Sequence, residues 1–398
     1  MGRENQQAIS RESVEAYLRR TGHPAATVVS MRPLGGDENT DSAGQALKSF
    51  GYGCPLRITF VSGTGVSGTG VSGTGPRDVG KRDVGQEEAA QQRQKDVVLR
   101  TMSPDPYGHG RRADRVAAMV QSYDTFGCIP QHVLALDVGT LTPDGLLLSA
   151  GGAGEPFLLT EYVSGSLYAA DITALAHGER GLSAQDEQRA MVLARYLVAL
   201  HAETRPQEEY VRFVRDTLGS GEGIFGILDG YPADDPVASP KRLQALEAAW
   251  LPWRWHLKKA PTRARRTHGD FHPFNILFRE GAAFSVLDCS RGAVGDPADD
   301  VTCLAVNYLF FSLVGAGSFG GPLRRLWDVF WSTYLQHSGD EGLLAVVAPF
   351  FVWRLGVLAS PVWYPDVSVE VRERLFAFAE RLLLRGAAFD PADVDAWL

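Results

Sequence analysis

His268-Gly269-Asp270-Phe271-His272-Pro273-Phe274-Asn275, followed by Asp288, is the stretch on which the reading of this chain turns. It sets two carboxylates and one carboxamide at short spacing: Asn275 stands five residues after Asp270, and Asp288 eighteen after it. Between them, Ile276-Leu277-Phe278 is an apolar run, Arg279-Glu280-Gly281 a turn, and Ala282 to Leu287 a second apolar run. That pattern predicts a β-hairpin with polar ligands at its ends. Phosphoryl transfer uses these residue types: a carboxylate facing the acceptor hydroxyl, and an amide oxygen and a carboxylate on Mg²⁺. His268 and His272 are four apart, but a zinc-protease helix needs His-Glu-x-x-His. Here no glutamate follows His268, and Pro273 comes directly after His272. The two histidines are therefore expected to brace the loop.

The remaining composition narrows the class. With 398 residues, the chain is long enough for two lobes, and 44% hydrophobic content supports a substantial core. A net charge of −8 argues against sequence-independent nucleic-acid binding and leaves cationic partners open. The four cysteines, Cys54, Cys128, Cys289 and Cys303, form no CxxC pair, so a reduced cytoplasmic protein without a zinc site is expected. The first ten residues lack an apolar signal core. Val301 to Leu323 is uncharged, but Asn307, two serines and four glycines interrupt it. A buried helix ending near Val314 is predicted there rather than a membrane span.

Outward from the motif, the chain changes character near residue 160. Before it, Thr27 to Met31, Pro55 to Val61, Asp96 to Arg100, Gly145 to Ala150 and Phe157 to Thr160 read as strands. Helices are predicted over Ser10 to Arg20 and Arg111 to Phe126, and from Ser183 onward they dominate, beginning with Gln188 to His201. Val-Ser-Gly-Thr-Gly occurs three times from Val61 to Gly75, then Arg-Asp-Val-Gly twice, at Arg77 to Gly80 and Arg82 to Gly85. Such a segment reads as a flexible insertion over about 61–95, although a glycine-rich repeat can also cradle an anion. The predicted domains are 1–160 and 161–398, with Tyr162 to Gly165 as the hinge.

Further stretches complete the picture. His268-Gly269-Asp270 with Asn275 and Asp288, Phe157 to Tyr162, Val198-Ala199-Leu200-His201, and Gly295-Asp296-Pro297-Ala298-Asp299-Asp300 together resemble the aminoglycoside phosphotransferase and choline-kinase-like group of small-molecule kinases. Motif identity is densest over residues 157–165 and 265–300. The resemblance implies an α+β, bilobal protein-kinase-like fold, with an antiparallel-sheet N-lobe for nucleotide and a mainly helical C-lobe for catalysis and acceptor. It also implies that ATP or GTP is the co-substrate, that Mg²⁺ is the cofactor, and that a small-molecule hydroxyl is the acceptor. By position, Asp270 becomes the catalytic carboxylate, Asn275 and Asp288 the metal ligands, and Glu161 and Val163 the adenine contacts. His268, Asp296 and Asp299 become structural support. Asp299 and Asp300 are also expected to cap the helix that begins near Val301.

The sequence departs from the pattern in its first lobe. Where the family places a phosphate-binding lysine, Val97-Val98-Leu99 is followed by Arg100, with Lys95 as the alternative and Asp114 as the expected carboxylate partner. Arginine binds phosphate through a planar fork, unlike a compact ammonium. The phosphate-loop glycines are either Gly35 and Gly36 or the Gly51–Gly53 pair. Acidic loops at Glu222, Asp229, Asp234-Asp235 and Asp366 suit a cationic acceptor such as an aminoglycoside or related amino sugar, which would make the enzyme an antibiotic-resistance kinase. Gly221 to Gly226 is a further candidate for the acceptor rim. A kinase for another metabolite alcohol and a non-catalytic nucleotide-binding pseudokinase are the alternatives. The tryptophans of Trp250 to Trp255 and Trp327 to Trp331 are expected to pack between helices. Neither nucleic acid nor membrane is expected as a partner.

Overall fold

Alternation in Leu56-Arg57-Ile58-Thr59-Phe60 produces the middle strand of a three-stranded antiparallel sheet. The computed structural model describes residues 9–33, 55–62, 93–104, 109–126, 133–150, 162–289, 291, 293–384 and 389–398. Its chain divides into two units, Met1–Leu159 and Thr160–Leu398. In the first unit, β1 (Thr27–Pro33), β2 (Leu56–Ser62) and β3 (Arg93–Leu99) pair in that order. Ile58 and Phe60 point from β2 into a small core with Val14, Leu18, Ala26, Val28 and Leu147. Val14 and Leu18 come from α1 (Arg11–Arg20), started by Ser10, whose hydroxyl accepts the Ser13 amide at 3.1 Å. A second helix, α2 (Arg112–Phe126), and the β4 (Gly139–Leu141)–β5 (Leu147–Ser149) hairpin complete the described part.

β3 begins three residues earlier than predicted. Gln94, Lys95 and Asp96 are exposed on an edge strand, where polar side chains are tolerated on both faces. Asp96 there accepts from Thr59 at 2.5 Å and pairs with Arg57 at 3.0 Å. The expected insertion thus has Val61 and Ser62 inside β2 and Lys95 inside β3. The repeat residues 63–92, the glycines Gly35, Gly36, Gly51 and Gly53, and the strand expected over Phe157 to Thr160 lie outside the described residues.

The second unit is mainly helical. In chain order it contains β6 (Ser166–Leu167), α3 (Tyr168–Ala176), α4 (Ala184–His201), α5 (Gln207–Gly219), α6 (Ile224–Asp229) and α7 (Pro240–Lys258). After the hairpin of β7 (Ile276–Phe278) and β8 (Phe284–Val286) come α8 (Pro297–Ala316), α9 (Gly321–Ser338), α10 (Val347–Leu358) and α11 (Val369–Leu384). α4 starts earlier than Gln188 because Ser183 and Asp186 form a capping box. Ala190, Leu193, Ala194, Leu197 and His201 then make its buried stripe. Trp250, Trp327 and Trp331 are buried in the same core, whereas Trp255 is exposed. The chain is an α+β protein of two units, a sheet-bearing one followed by a helical one.

α8 is apolar around most of its circumference and packs against α3, α9 and α10. Among the described residues it alone is long and apolar enough to span a bilayer, and 83% of its apolar window is buried inside the protein. Its cap is Asp296, whose carboxylate accepts the Ala298 amide, with Pro297 opening the first turn. The expectation that Asp299 and Asp300 cap this helix is therefore corrected: both lie inside its first turn, fully buried, with other partners. Near its other end, a β-carbon on Gly315 would sit 2.6 Å from the Ala176 carbonyl oxygen. Gly315→Ala is expected to cost roughly 1–3 kcal/mol by overpacking, against a helix-propensity gain of about 1 kcal/mol. A thermal melt of the variant tests this; an unchanged or raised midpoint would show that α3 yields freely.

Candidate active site

The loop before β7 is pinned from both sides. Arg265 and Gly295 exchange backbone hydrogen bonds at 3.0 Å each. Gly295 has to be glycine there, because a β-carbon would lie 2.8 Å from Thr267 Oγ1 and 2.9 Å from the Phe213 ring. The Asp300 carboxylate accepts the His268 amide at 2.7 Å and the Gly269 amide at 2.8 Å. Gly269 takes φ +82°, a conformation that glycine adopts without steric cost. Asp300 also meets His201 Nε2 at 3.1 Å, and His201 Nδ1 lies 2.7 Å from the Tyr334 hydroxyl. Burial alone would raise the Asp300 carboxyl, but His201 and the His268 amide hold it below the usual carboxylate range. One step back, Asp296 accepts from Tyr210 at 2.6 Å and receives both arms of Arg263, at 2.8 Å each.

Within this frame Asp270 is largely enclosed and held by two guanidinium groups and a histidine. Arg354 Nη1 donates to its Oδ1 at 2.8 Å, Arg291 Nη1 to the same oxygen at 3.2 Å, and His272 Nε2 lies 3.4 Å from Oδ2. Burial would raise this carboxyl; the His272 hydrogen bond and the two guanidinium charges reverse that and hold it well below the ordinary range. Asn275 closes the loop as the last residue of a 3₁₀ turn, Pro273–Asn275. Its amide nitrogen donates to the Asp270 carbonyl at 3.1 Å and approaches Oδ2 at 3.4 Å. The carbonyl oxygen of its carboxamide is then the atom free in type to serve a hard cation.

Hairpin register carries Asp288 to the same end as Asn275. Ile276 pairs with Val286, and the Leu287 amide donates to the Asn275 carbonyl at 2.9 Å. Among the described residues, Asp288 is the one non-glycine with positive φ, +52°, a conformation that costs roughly 1–3 kcal/mol. A cleft of about 210 Å³ opens beside it, lined by Leu200, Thr267, His268, Asp288 and Cys289 among others. The Thr267 hydroxyl and His268 Nε2 are buried there without a hydrogen-bond partner among the described residues.

Asp270, Asn275, Asp288, His268, Asp296 and Asp299 thus belong to one unit of structure. Arg100 is exposed directly after β3 in the first unit, and Val163 is half-buried ahead of β6 in the second. Asp114, its expected partner, caps the start of α2 by accepting the Arg111 amide at 2.7 Å. Glu161, Gly35 and Gly36 lie outside the described residues. Of the acidic loops, Glu222 reaches the site: its carboxylate pairs with Arg291 at 3.0 Å, and its carbonyl accepts the Trp353 indole at 2.8 Å. Asp235 is not available to attract a cation, because it is buried against Arg372.

Two residues absent from the sequence-level reading hold Asp270. Arg291, three positions beyond Asp288, had no pattern to mark it. Arg354 did carry a signal: it is the one charge in Val346 to Ser360, and a charge inside a buried apolar helix requires a partner.

The model of the phosphotransferase enzyme family matches residues 90–325, more than half of the chain. No curated protein matches the sequence. Among solved structures, a glucosamine kinase in complex with glucosamine, ADP and inorganic phosphate is 16% identical, with TM-score 0.31. That likeness covers 58% of this chain and 56% of the other, so just over half of the glucosamine kinase is matched. The choline kinase LicA from Streptococcus pneumoniae is 10% identical over 94% of this chain and 98% of its own, with TM-score 0.33. The macrolide 2'-phosphotransferase MphH from Brachybacterium faecium is 15% identical over 92% and 97%, with TM-score 0.29. Kinship rests on the length of the family match: this chain is a member of the phosphotransferase enzyme family.

Proposed function

We propose that the protein transfers the γ-phosphoryl group of ATP, or of GTP, to a hydroxyl of a small molecule. The observation that carries this reading is the gathering of Asp270, Asn275 and Asp288 at one end of the β7–β8 hairpin, on a loop braced by buried carboxylates. In the proposed mechanism Asp270 accepts a hydrogen bond from the acceptor hydroxyl and aligns its oxygen with the phosphorus. Its arginine and histidine partners make it a weak base, so its part is orientation: the new P–O bond forms as the bond from the γ-phosphorus to the ADP oxygen breaks, and the hydroxyl proton passes late to an oxygen of the transferred phosphoryl group. Arg291, shared between Asp270 and Glu222, links this carboxylate to Gly221 to Gly226, the turn and first residues of α6, proposed as part of the acceptor rim.

The donor set fits Mg²⁺. Asn275 and Asp288 offer hard oxygen atoms, and Mg²⁺ typically takes one or two protein groups and completes its shell with phosphate oxygens and water. Among the described residues no cage of three or more His, Cys, Asp or Glu side chains is gathered, and such a site needs none. Bound there, the ion would supply neutralisation of charge on the β and γ phosphates. Nucleotide contacts are assigned to Arg100, Gly35 and Gly36 for phosphates and to Glu161 and Val163 for adenine. His268, Asp296 and Asp299 keep the loop in shape. The first unit is proposed to hold nucleotide, and the second the catalytic loop and acceptor pocket.

An aminoglycoside or related amino sugar is the proposed acceptor, supported by Glu222 beside the Asp270 cluster. Another metabolite alcohol keeps the same chemistry. Mass spectrometry of a panel of aminoglycosides, amino sugars and small alcohols incubated with Mg·ATP is expected to show one acceptor gaining a phosphoryl group. Nucleotide binding with no product across the panel would instead favour a pseudokinase, the reading that Arg100 in place of lysine supports.

A further inference from the structure

Arg354 sits on α10, 84 residues beyond Asp270, yet ties two residues of the loop to the first turn of α8. Its Nη1 donates to Asp270 Oδ1 at 2.8 Å. Its Nη2 donates to the Gly269 carbonyl at 2.8 Å and to Asp299 Oδ1 at 2.6 Å. The guanidinium is buried and lies over the Trp353 ring, 4.0 Å from its centroid. A planar fork with fixed N–H directions can serve a backbone carbonyl and two carboxylates at once, whereas an ammonium on a flexible stem fixes no such plane. The Asp299 carboxylate has no other hydrogen-bond partner among the described residues, its Oδ2 being buried and unbonded. A pairing kept only to neutralise Asp299 would not need the further reach to Asp270 and Gly269.

We propose that Arg354 is a positioning residue for phosphoryl transfer: anchored by Asp299 and Trp353, its guanidinium fixes the Asp270 side chain and the adjoining Gly269 peptide in the geometry that aims the acceptor. This rests on the reading of Asp270 as the acceptor-orienting carboxylate. Because the contact is made to a protein group, its loss misplaces Asp270 without removing a ligand contact. The expected signature is a fall in kcat with Michaelis constants nearly unchanged. Misplacement of a reacting group by about 1 Å can cost about 10²-fold in rate.

The test follows ADP release from Mg·ATP, with water as acceptor and, in parallel, with the acceptor found in the panel. Arg354→Ala is expected to lose about 10²-fold in kcat with KM for Mg·ATP changed by less than about threefold. Millimolar guanidinium chloride is expected to restore part of that kcat, and equimolar urea to restore none. A second variant, Asp299→Asn with Arg354→Met, removes both buried charges together and so protects the fold. It is expected to melt near the wild-type temperature and still lack the kcat. Wild-type kcat in that folded double variant, or a loss seen in KM alone, would overturn the proposal. So would a folded Arg354→Ala variant that guanidinium does not rescue. Absence of turnover in the wild-type protein would remove the phosphotransfer reading itself, and the positioning role with it.

Discussion

Asp270→Asn is expected to lower kcat by about 10²–10⁴-fold, the range spanned by a positioned acid–base side chain, while the protein stays folded. The expectation follows from what each neighbour retains. Arg354 keeps the Gly269 carbonyl and Asp299, and Arg291 keeps Glu222, so neither guanidinium becomes an unpaired buried charge. Asparagine preserves shape and one acceptor oxygen, but it carries no charge to draw the substrate hydroxyl into line. Steady-state kinetics and a thermal melt, run on the same preparation, check the two halves. A variant retaining more than about a tenth of wild-type kcat would remove Asp270 from the role of orienting group. A variant that loses activity only because it melts early would reduce Asp270 to a structural counter-ion for Arg354.

The parts of this site legible in the sequence are those encoded locally. Asp270, Asn275 and Asp288 stand on one loop and one hairpin, and hairpin register brings residues 275 and 287 into contact. The two apolar runs and the turn that set this register are readable from Ile276 to Leu287. Helix α8 was legible for the same reason, although its start was misread. Asp296 followed by proline is the N-cap, and proline suits the first helical position because its missing N–H has no partner to lose.

What stayed hidden is non-local. Asp299 and Asp300 are neighbours of one residue type, yet Asp300 binds the loop amides directly while Asp299 acts through Arg354. Their side chains leave the helix about 100° apart, so different partners follow from helix geometry, but only once the packing of α8 is known. His201 was readable as the end of a helix. Its pairing with Asp300 depends on α4 and α8 crossing, which no local pattern specifies.

Asp300→Ala is expected to damage the fold of the second unit severely, costing roughly 3–5 kcal/mol. Asp300 is fully buried and serves the His268 amide, the Gly269 amide and His201. Alanine leaves all three donors without their acceptor at a fully buried position. For a unit of this size the melting midpoint should fall by roughly 6–20 °C. Asp300→Asn should fall between wild type and alanine, because its one oxygen can accept from one side while its NH₂ faces a second donor. Asp299→Asn should cost less than Asp300→Ala, since it disturbs one guanidinium that has other acceptors. The pH dependence has a definite sign. The Asp300 carboxyl titrates below its unfolded value, so its stabilisation is present above the ordinary carboxylate range. It is lost as pH falls through the lower, folded value. Melts from neutral to acid pH should therefore show wild type and Asp300→Asn converging as the medium acidifies. Parallel curves over that range, or an alanine variant melting within about 2 °C of wild type, would show that the loop is held by something other than this carboxylate.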